Sequence, residues 1–133
     1  MRILATCRPS TQQAREILGP GKLLCVEQGA ILEVDARRAR AAARANLAIY
    51  LTLPNYLNHW KRLGFTDADF AAGGSDRLID AVIVWGDEKA IRQRIEEHWQ
   101  AGADHVCIQV LTEDPKGLPL PEWRELATAL LAK

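Results

Sequence analysis

The feature that most constrains the fold of this chain is an alternation of short apolar runs with longer helix-forming segments. Three runs are predicted to be strands: residues 28–34 (QGAILEV), 81–85 (AVIVW) and 105–111 (HVCIQVL). They are largely apolar on both faces, as expected of parallel strands that helices cover. Strand–helix alternation of this kind predicts a parallel sheet with right-handed crossovers. We therefore predict a single α/β unit over residues 1–133.

Between the predicted strands, breakers divide the helical segments. Residues 11–18 (TQQAREIL) are predicted to end a helix at the Gly-Pro-Gly turn of residues 19–21. Residues 36–53 are rich in Ala and Arg, which favour helix. Pro54 interrupts this helix, and residues 56–63 are predicted to resume it.

Helix ends are marked by capping residues. Asp35 and Asp87 each follow a predicted strand, where an aspartate can accept backbone N–H bonds from the next turn. We predict a helix over residues 88–101 that ends at Gly102. The apolar face of this helix is predicted to consist of residues four apart, namely Ile91, Ile95 and Trp99.

The last helix is predicted to open at Pro121, a residue favoured at the first helical position. Its apolar stripe would comprise Trp123, Leu126, Ala127 and Leu130. Residues 66–75 are predicted to be irregular or a short helix, followed by a glycine-rich turn.

The charge balance excludes some classes of partner. The chain has 17 Lys and Arg residues and 17 Asp and Glu residues. Nucleic-acid-binding proteins usually carry an excess of basic residues, so we predict no nucleic-acid partner. The arginines of residues 37–44 are interpreted mainly as a solvated helix face, and an anion or RNA patch is the weaker alternative. No apolar run approaches the ~20 residues of a membrane span, and residues 1–10 lack the apolar core of a signal peptide. We predict a cytoplasmic protein with no membrane partner.

Cysteines and histidines show no ligand spacing. Cys7, Cys25 and Cys107 are widely separated and form no C-x-x-C pair, so we predict reduced, small core side chains and no zinc site. The histidines, which share no metal-ligand spacing either, are predicted to lie at the surface or boundary of the fold: His59, His98 and His105.

Residues 75–110 (SDRLIDAVIVWGDEKAIRQRIEEHWQAGADHVCIQV) resemble the closing section of the luciferase-like monooxygenases. That section comprises a leader helix, a short apolar strand, a Gly-polar turn, an amphipathic helix, Ala-Gly-x-Asp and a last strand. The upstream string YLTLPNYLNHWKRLGF (residues 50–65) is similar to the segment that follows the sixth strand in this family. The resemblance covers residues 11–131 and is strongest to the subgroup that uses the deazaflavin coenzyme F-420.

This resemblance implies the C-terminal part of a (β/α)₈ TIM barrel, with strands six, seven and eight in that order and their helices on one side. A complete barrel takes roughly 250 residues, so strands one to five would lie elsewhere. It also implies an oxidoreductase, a monooxygenase or hydride-transfer enzyme, that binds coenzyme F-420 or FMN and a small organic substrate. We expect the chain to be inactive alone, and the catalytic residues remain unassigned.

Three places are candidates; Gly86–Asp87 is interpreted as an N-cap whose aspartate would repel an anion, which leaves two as cofactor sites. In the first, Gly73, Gly74 and Ser75 precede a helix, where backbone N–H groups can approach an anion, and Arg77 supplies a bidentate donor. A phosphate of the coenzyme tail would fit such a site, whereas a turn with Ser75 as N-cap and Arg77 on the surface is the favoured alternative. The second is Gln109, which would lie near the barrel mouth and contact cofactor or substrate, or only neighbouring backbone.

Other polar residues receive structural interpretations. Asp87 at the end of the seventh strand would repel an anion, and N-capping explains it. Asn55 and Tyr56 could line a substrate pocket, although helix capping and packing are favoured. Because strands six and eight would lack their barrel neighbours, we predict a homo-oligomer or a complex with an N-terminal half. The alternative function is a non-catalytic interaction module that oligomerises through its open sheet edges.

Overall fold

Four parallel strands form one sheet in the computed structural model, which describes residues 2–3 and 8–131. The strands are β1 (Arg2–Ile3), β2 (Cys25–Leu32), β3 (Ile83–Gly86) and β4 (His105–Val110). The predicted α/β class and the parallel pairing are confirmed. Cys7 lies outside the described residues.

In the described part of the chain, seven α-helices and two 3₁₀ turns precede, connect or follow the strands β2 to β4. The helices are α1 (Arg8–Leu18), α2 (Ala36–Leu47), α3 (Pro54–Arg62), α4 (Asp67–Phe70), α5 (Asp76–Val82), α6 (Glu88–Gln100) and α7 (Leu120–Leu131), and the 3₁₀ turns are Tyr50–Thr52 and Ala71–Gly73. The helix predicted over residues 36–53 ends at Leu47, and Pro54 starts α3 at a position where its missing N–H costs nothing.

Aspartate N-caps begin the helices that follow β2 and β3. The Asp35 carboxylate accepts a hydrogen bond from the Arg38 amide at 2.8 Å, and Asp87 accepts one from Ala90 at 3.0 Å. Both predicted N-caps are confirmed. The predicted strand at residues 81–85 is shifted, because Ala81 and Val82 belong to α5.

The sheet order differs from the predicted sequential order. β2 pairs with β4 through residues 25–30 and with β3 through residues 29–32. Since residues 29 and 30 pair with both neighbours, β3 and β4 lie on opposite edges of β2. The predicted order six, seven, eight is therefore wrong for the isolated chain, in which the first of these three strands is central.

Burial explains why β2 is central. Its six inner residues are all buried, whereas every second residue of β4 is exposed. A strand that is buried on both faces and both edges contributes the most apolar contact, and β2 is the longest strand available. Strand–helix alternation alone does not specify on which edge of β2 the later strands add.

Helices cover both faces of the sheet, and not one face as predicted. On one face, Ile31 and Ile83 pack against α2, α3 and α5. On the other face, Ala30 and Val84 pack against α6 and α7, and Val26 packs against α1. Opposite faces follow from the strand order, because right-handed crossovers that run in opposite directions across a sheet place their helices on opposite sides.

Two predicted helix faces are wrong in part. In α6, Ile91 and Ile95 are buried, but Trp99 is 55% exposed and His98 is fully buried in its place. In α7, Leu126 is buried and Leu130 is half-buried, whereas Trp123 and Ala127 are exposed. His98 can be buried in α6 because the Gln28 side chain in the core forms a hydrogen bond with its imidazole. Trp123 and Ala127 are exposed because α7 lies at the edge of the sheet.

The polar face of β4 is exposed. His105, Cys107 and Gln109 point away from the core, while the alternate residues of the strand are half-buried. The prediction that all cysteines are core side chains is thus wrong for Cys107, and Cys25 is of intermediate burial. On the sheet face to which His105, Cys107 and Gln109 point, the helices cover β2 and β3 but leave β4 open.

Candidate functional site

The carboxyl ends of β2 and β4 meet at a topological switch point. β2 leads into α2 on one face of the sheet, and its neighbour β4 leads towards α7 on the other face. Where the segments that follow two adjacent parallel strands turn to opposite faces of the sheet, a crevice forms beyond the carboxyl ends of those strands. In open α/β sheets, ligands bind in that crevice.

A cavity occupies this position, and we name it the strand-end crevice. Its volume is about 420 Å³, which falls within the ~300–1,000 Å³ of small-molecule pockets. It is lined by Ile31, Leu32, Glu33, Arg38, Ala42, Leu111, Thr112, Glu113, Asp114, Gly117, Leu118, Pro119, Pro121 and Glu122. The lining thus comes from the two strand ends, the start of α2 and the loop before α7.

Among the described residues that line this crevice, Arg38 is the one basic side chain. Its guanidinium lies 3.2 Å from Glu33 Oε2 and 3.2 Å from Glu113 Oε1. The hydrogen bond with Glu113 and then the charge of Glu33 raise the pKa of Arg38. Arg38 therefore links the end of β2 to the loop after β4, and its charge is already compensated.

Backbone and amide contacts hold the two walls of the crevice. The Asn46 side-chain amide donates to the Ala42 carbonyl at 2.9 Å and to the Thr112 carbonyl at 3.1 Å, so α2 is tied to the segment that follows β4. The Asp114 carboxylate accepts from the Lys116 amide at 3.0 Å and closes a tight turn. These contacts fix the acidic loop at the mouth.

The charge of the lining decides which ligands it suits. Four carboxylates, those of Glu33, Glu113, Asp114 and Glu122, face one guanidinium. A phosphate at this place would be repelled, because like charges at close range cost free energy. Hydroxyl and N–H groups are suitable, since carboxylates are acceptors.

The predicted residue Gln109 lines a second cavity, which we name the Gln109 cavity. It measures about 170 Å³ and lies under α2 and the following 3₁₀ turn, on the sheet face to which Gln109 points. Its lining residues are Glu27, Gly29, Asn46, Leu47, Ile49, Tyr50, Ile83, Gln109 and Leu111. Leu111 also lines the strand-end crevice, so the two cavities are adjacent.

The predicted anion site at residues 73–77 uses its donors internally. Ser75 caps α5 by accepting from the Leu78 amide, and its hydroxyl donates to Asp69 Oδ1 at 2.7 Å. The Arg77 guanidinium donates to both Asp69 oxygens, at 3.2 and 2.5 Å, and lies 4.4 Å from the centre of the Phe65 ring.

Asp69 thus takes the place that an anionic ligand would occupy. The hydrogen bond from Arg77, followed by those from the Thr66 amide and the Ser75 hydroxyl, holds the pKa of Asp69 far below its ordinary value. Gly73 and Gly74 have positive φ values of 80° and 104° and form the turn before α5. The predicted N-cap role of Ser75 is confirmed, and the turn lines neither the strand-end crevice nor the Gln109 cavity.

The arginines of residues 37–44 are largely paired with acids. Arg40 donates to Asp80 at 3.0 and 2.6 Å, and Arg44 lies 2.5 Å from Asp76. These contacts join α2 to α5. They do not support the weaker prediction of an anion or RNA patch, because the guanidinium groups already bind carboxylates.

A buried polar network around His98 was missed at the level of sequence. His98 Nδ1 lies 2.8 Å from the Thr11 hydroxyl, and Nε2 lies 2.8 Å from Gln28 Oε1. The Gln28 amide donates in turn to the carbonyls of Gly29 and Val82 at 2.7 and 2.9 Å. Burial, with the nearby charge of Arg94, lowers the pKa of His98 to about 4.

The prediction of a surface or boundary position is therefore wrong for His98. His59 is half-buried, with its Nε2 at 3.2 Å from the Ser10 hydroxyl, and His105 is exposed. Within residues 2–3 and 8–131, no group of three or more metal-ligating side chains converges. In the same part of the chain, no helix is both long and apolar enough to cross a bilayer.

Comparison with protein-family models, with curated proteins and with solved structures found no match to this chain. The fold and the cavities are therefore the basis for functional argument.

Proposed function

We propose that this chain contributes the C-terminal part of a cytoplasmic flavin- or deazaflavin-dependent oxidoreductase of the luciferase-like type. The observation that carries the proposal is the strand-end crevice, a ligand-sized cavity at the carboxyl ends of adjacent parallel strands. Active sites of (β/α)₈ barrels and of open α/β sheets both lie at the carboxyl ends of strands. The family assignment itself rests on the sequence strings of residues 50–65 and 75–110.

The barrel origin of β2, β3 and β4, as strands six to eight, is part of this proposal. In a barrel these strands would be neighbours in sequential order. In the isolated chain β2 separates the other two. A barrel would therefore require β4 to leave β2 and to pair with β3 instead.

The described residues do not fit the phosphate end of FMN or of coenzyme F-420. The strand-end crevice carries four carboxylates and one paired arginine, and Arg77 at the predicted anion site is bound by Asp69. We therefore assign no reaction step to the coenzyme here. In the proposal, this chain contributes acceptor groups for an uncharged or cationic substrate, and the coenzyme phosphate binds elsewhere.

An absorbance titration tests the proposal. We expect the purified chain to cause no spectral shift of FMN or coenzyme F-420 and no turnover, because displacement of reacting groups by ~1 Å already costs ~100-fold in rate. Co-expression with a polypeptide that supplies strands one to five, sought in the adjacent genomic sequence, is expected to restore both. Turnover by the chain alone would refute the expectation that activity requires strands one to five. Absence of coenzyme binding by the co-expressed complex would refute the oxidoreductase assignment.

One observation favours a second candidate, a non-catalytic module that self-associates. Among the described strands, none pairs with the outer edge of β4. A groove of about 360 Å³ lies between this strand and α7, and its lining is mainly apolar, with His105 at one end and the 44% exposed Trp123 on α7. An open apolar strand edge is a template for a further strand.

We propose a homo-oligomer through this edge as the alternative function. Light scattering at tens of micromolar is expected to show a dimer or larger species. Substitution Ile108→Lys, on the half-buried face of β4, is expected to yield monomer, because a charge on an apolar interface opposes association. A folded wild-type monomer with no apolar dye binding would exclude this alternative.

A further inference from the structure

The outer edge of β4 faces away from β2 and presents backbone hydrogen-bonding groups. On the inner edge, the Leu111 amide donates to the Ala30 carbonyl at 2.8 Å. The His105 amide donates to the Leu24 carbonyl at 3.3 Å. Successive residues of a strand direct their N–H and C=O groups to opposite edges. Three residues of β4 therefore direct both groups outwards: Val106, Ile108 and Val110.

The described strands leave this outer edge open. β1 pairs with Cys25 and Val26, which also pair with β4, so β1 lies on the opposite edge of β2, as β3 does. Within residues 2–3 and 8–131, no strand pairs with the outer edge of β4. Edge strands are commonly protected against a further strand by Lys, Pro or an inward-pointing charge. The sequence of β4, HVCIQV, contains no Lys, Arg, Pro or acidic residue.

The apolar residues of β4 are arranged symmetrically along the strand. Val106 and Val110 lie at equal distances from Ile108, and all three are half-buried on the sheet face that packs against α6 and α7. A second β4 that runs antiparallel, with the two Ile108 residues opposite each other, places Val106 opposite the partner's Val110. These become the hydrogen-bonded pairs of an antiparallel ladder, so every outward N–H and C=O has a partner.

This symmetry identifies a second copy of the chain as the strand that fits the edge. Apolar side chains meet apolar side chains across the contact, and β4 brings no Asp, Glu, Lys or Arg opposite its own copy. Pairs of this kind stabilise a sheet, whereas like charges directly opposite destabilise it.

Other registers satisfy fewer groups. A contact centred on Cys107 would place Val110 opposite the partner's Asp104. The Asp104 amide already donates to the Leu24 carbonyl at 2.9 Å, so the valine would lose its ladder partner on each side. The register centred on Ile108 is therefore favoured.

The groove between β4 and α7 adds apolar surface on the same side of the sheet. Its lining includes Trp123, which is 44% exposed, and Leu131, which is 77% exposed. An incoming strand that directs two valines and an isoleucine to this side covers part of the groove. Exposed apolar surface beside an open strand edge is typical of a protein–protein contact.

We propose that two copies of this chain pair through β4 in an antiparallel, two-fold symmetric contact centred on Ile108, which joins their sheets into one. The contact uses the same edge of both copies, so it closes at a dimer. The inference rests on the self-association proposed above as the alternative function, and it specifies the partner strand, its direction and its register.

Disulfide trapping tests the register on the opposite face of the sheet, where Cys107 and Gln109 are exposed. In the proposed dimer, Cys107 lies opposite the partner's Gln109 in a non-hydrogen-bonded pair, with Cα atoms about 4.5 Å apart. A disulfide spans that distance. The two Cys107 residues are diagonal neighbours about 7–8 Å apart, which a disulfide does not span.

The test uses full-length variants that each contain one cysteine, with Cys7→Ser and Cys25→Ser as the common background. One variant keeps Cys107, and the other carries Cys107→Ser with Gln109→Cys. Copper phenanthroline is the oxidant that converts two thiols into a disulfide. We expect a covalent dimer when the two variants are refolded together, and little when either is oxidised alone. The matched control replaces Gln109→Cys by His105→Cys, four residues from the required position, and is expected to give no covalent dimer with the Cys107 variant.

Amide hydrogen exchange tests the same contact in the wild type. The outward amides of Val106, Ile108 and Val110 are expected to exchange at least about tenfold more slowly at high than at low protein concentration. The amides of Cys107 and Gln109, which are directed to β2, are expected to change little.

The possible failures separate the inference from the alternative function on which it rests. A wild-type monomer at tens of micromolar in light scattering would overturn both. A dimer that is trapped through Cys107 alone, or whose mixed variants give no covalent dimer, would overturn the contact centred on Ile108 and leave self-association standing. A dimer whose outward β4 amides exchange at a rate independent of concentration would also overturn it.

Discussion

Acid is expected to destabilise this protein through His98. The residue is fully buried between Thr11 and Gln28, and its pKa is lowered from 6.5 to about 4. In the unfolded chain His98 binds a proton near its ordinary pKa, whereas the folded state does so only near pH 4. Stability from this group is therefore present above pH 6.5, falls as the pH drops towards 4, and levels off below.

The magnitude follows from the difference between the two pKa values. Proton linkage predicts a loss of about 2 kcal/mol between pH 7 and pH 5, and about 3 kcal/mol at the acid limit. In urea unfolding at fixed protein concentration, 2 kcal/mol corresponds to a midpoint shift of roughly 1 M. Burial also lowers the pKa of His59, so the comparison requires a variant that lacks only the His98 imidazole.

His98→Gln is that variant, because glutamine keeps hydrogen-bonding groups but does not titrate. We expect it to be less stable than the wild type at pH 7 and to lose about 2 kcal/mol less between pH 7 and pH 5. His105→Gln removes an exposed histidine and is expected to keep most of the wild-type pH dependence. If wild type and His98→Gln lose the same free energy over this range, a buried neutral His98 is refuted.

Two further predictions concern packing and backbone. Gly102→Ala is expected to destabilise the fold by about 2 kcal/mol more than Gly64→Ala. Both glycines have a positive φ, 99° and 92°, so both variants suffer backbone strain. Only at Gly102 would the added Cβ also clash with a side chain, at 2.7 Å from Arg15 Cγ. Equal thermal shifts of the two variants would contradict this steric argument. Leu126→Ala is expected to lower the free energy of unfolding by about 2–4 kcal/mol, because Leu126 is the buried residue of α7. Trp123→Ala is expected to lower it by less than about 1 kcal/mol, because Trp123 is 44% exposed. Chemical denaturation of both variants checks the difference, and a larger loss for Trp123→Ala would show that its ring is buried in solution.

Local chemistry made several features predictable from the sequence. Asp35 and Asp87 cap the helices that follow them, and Pro54 starts a helix, because each effect depends on residues within one helical turn. Gly102 ends α6 with a positive φ for the same reason. Strand alternation also placed His105, Cys107 and Gln109 on one face of β4, because the face to which a side chain points depends only on its position in the strand.

Local sequence patterns thus specified β2, β3 and β4, the main helices, the parallel direction of the strands and the helix ends that a cap or a breaker marks. The tertiary structure alone decided that β2 is the central strand, because alternation does not encode which edge a later strand joins. It also decided that His98 is buried and Trp99 is exposed, since Thr11 and Gln28 lie 87 and 70 residues away in the chain. The Glu27 carboxylate and the Tyr50 ring meet in one cavity for the same physical reason: contacts between distant segments depend on packing that no local pattern records.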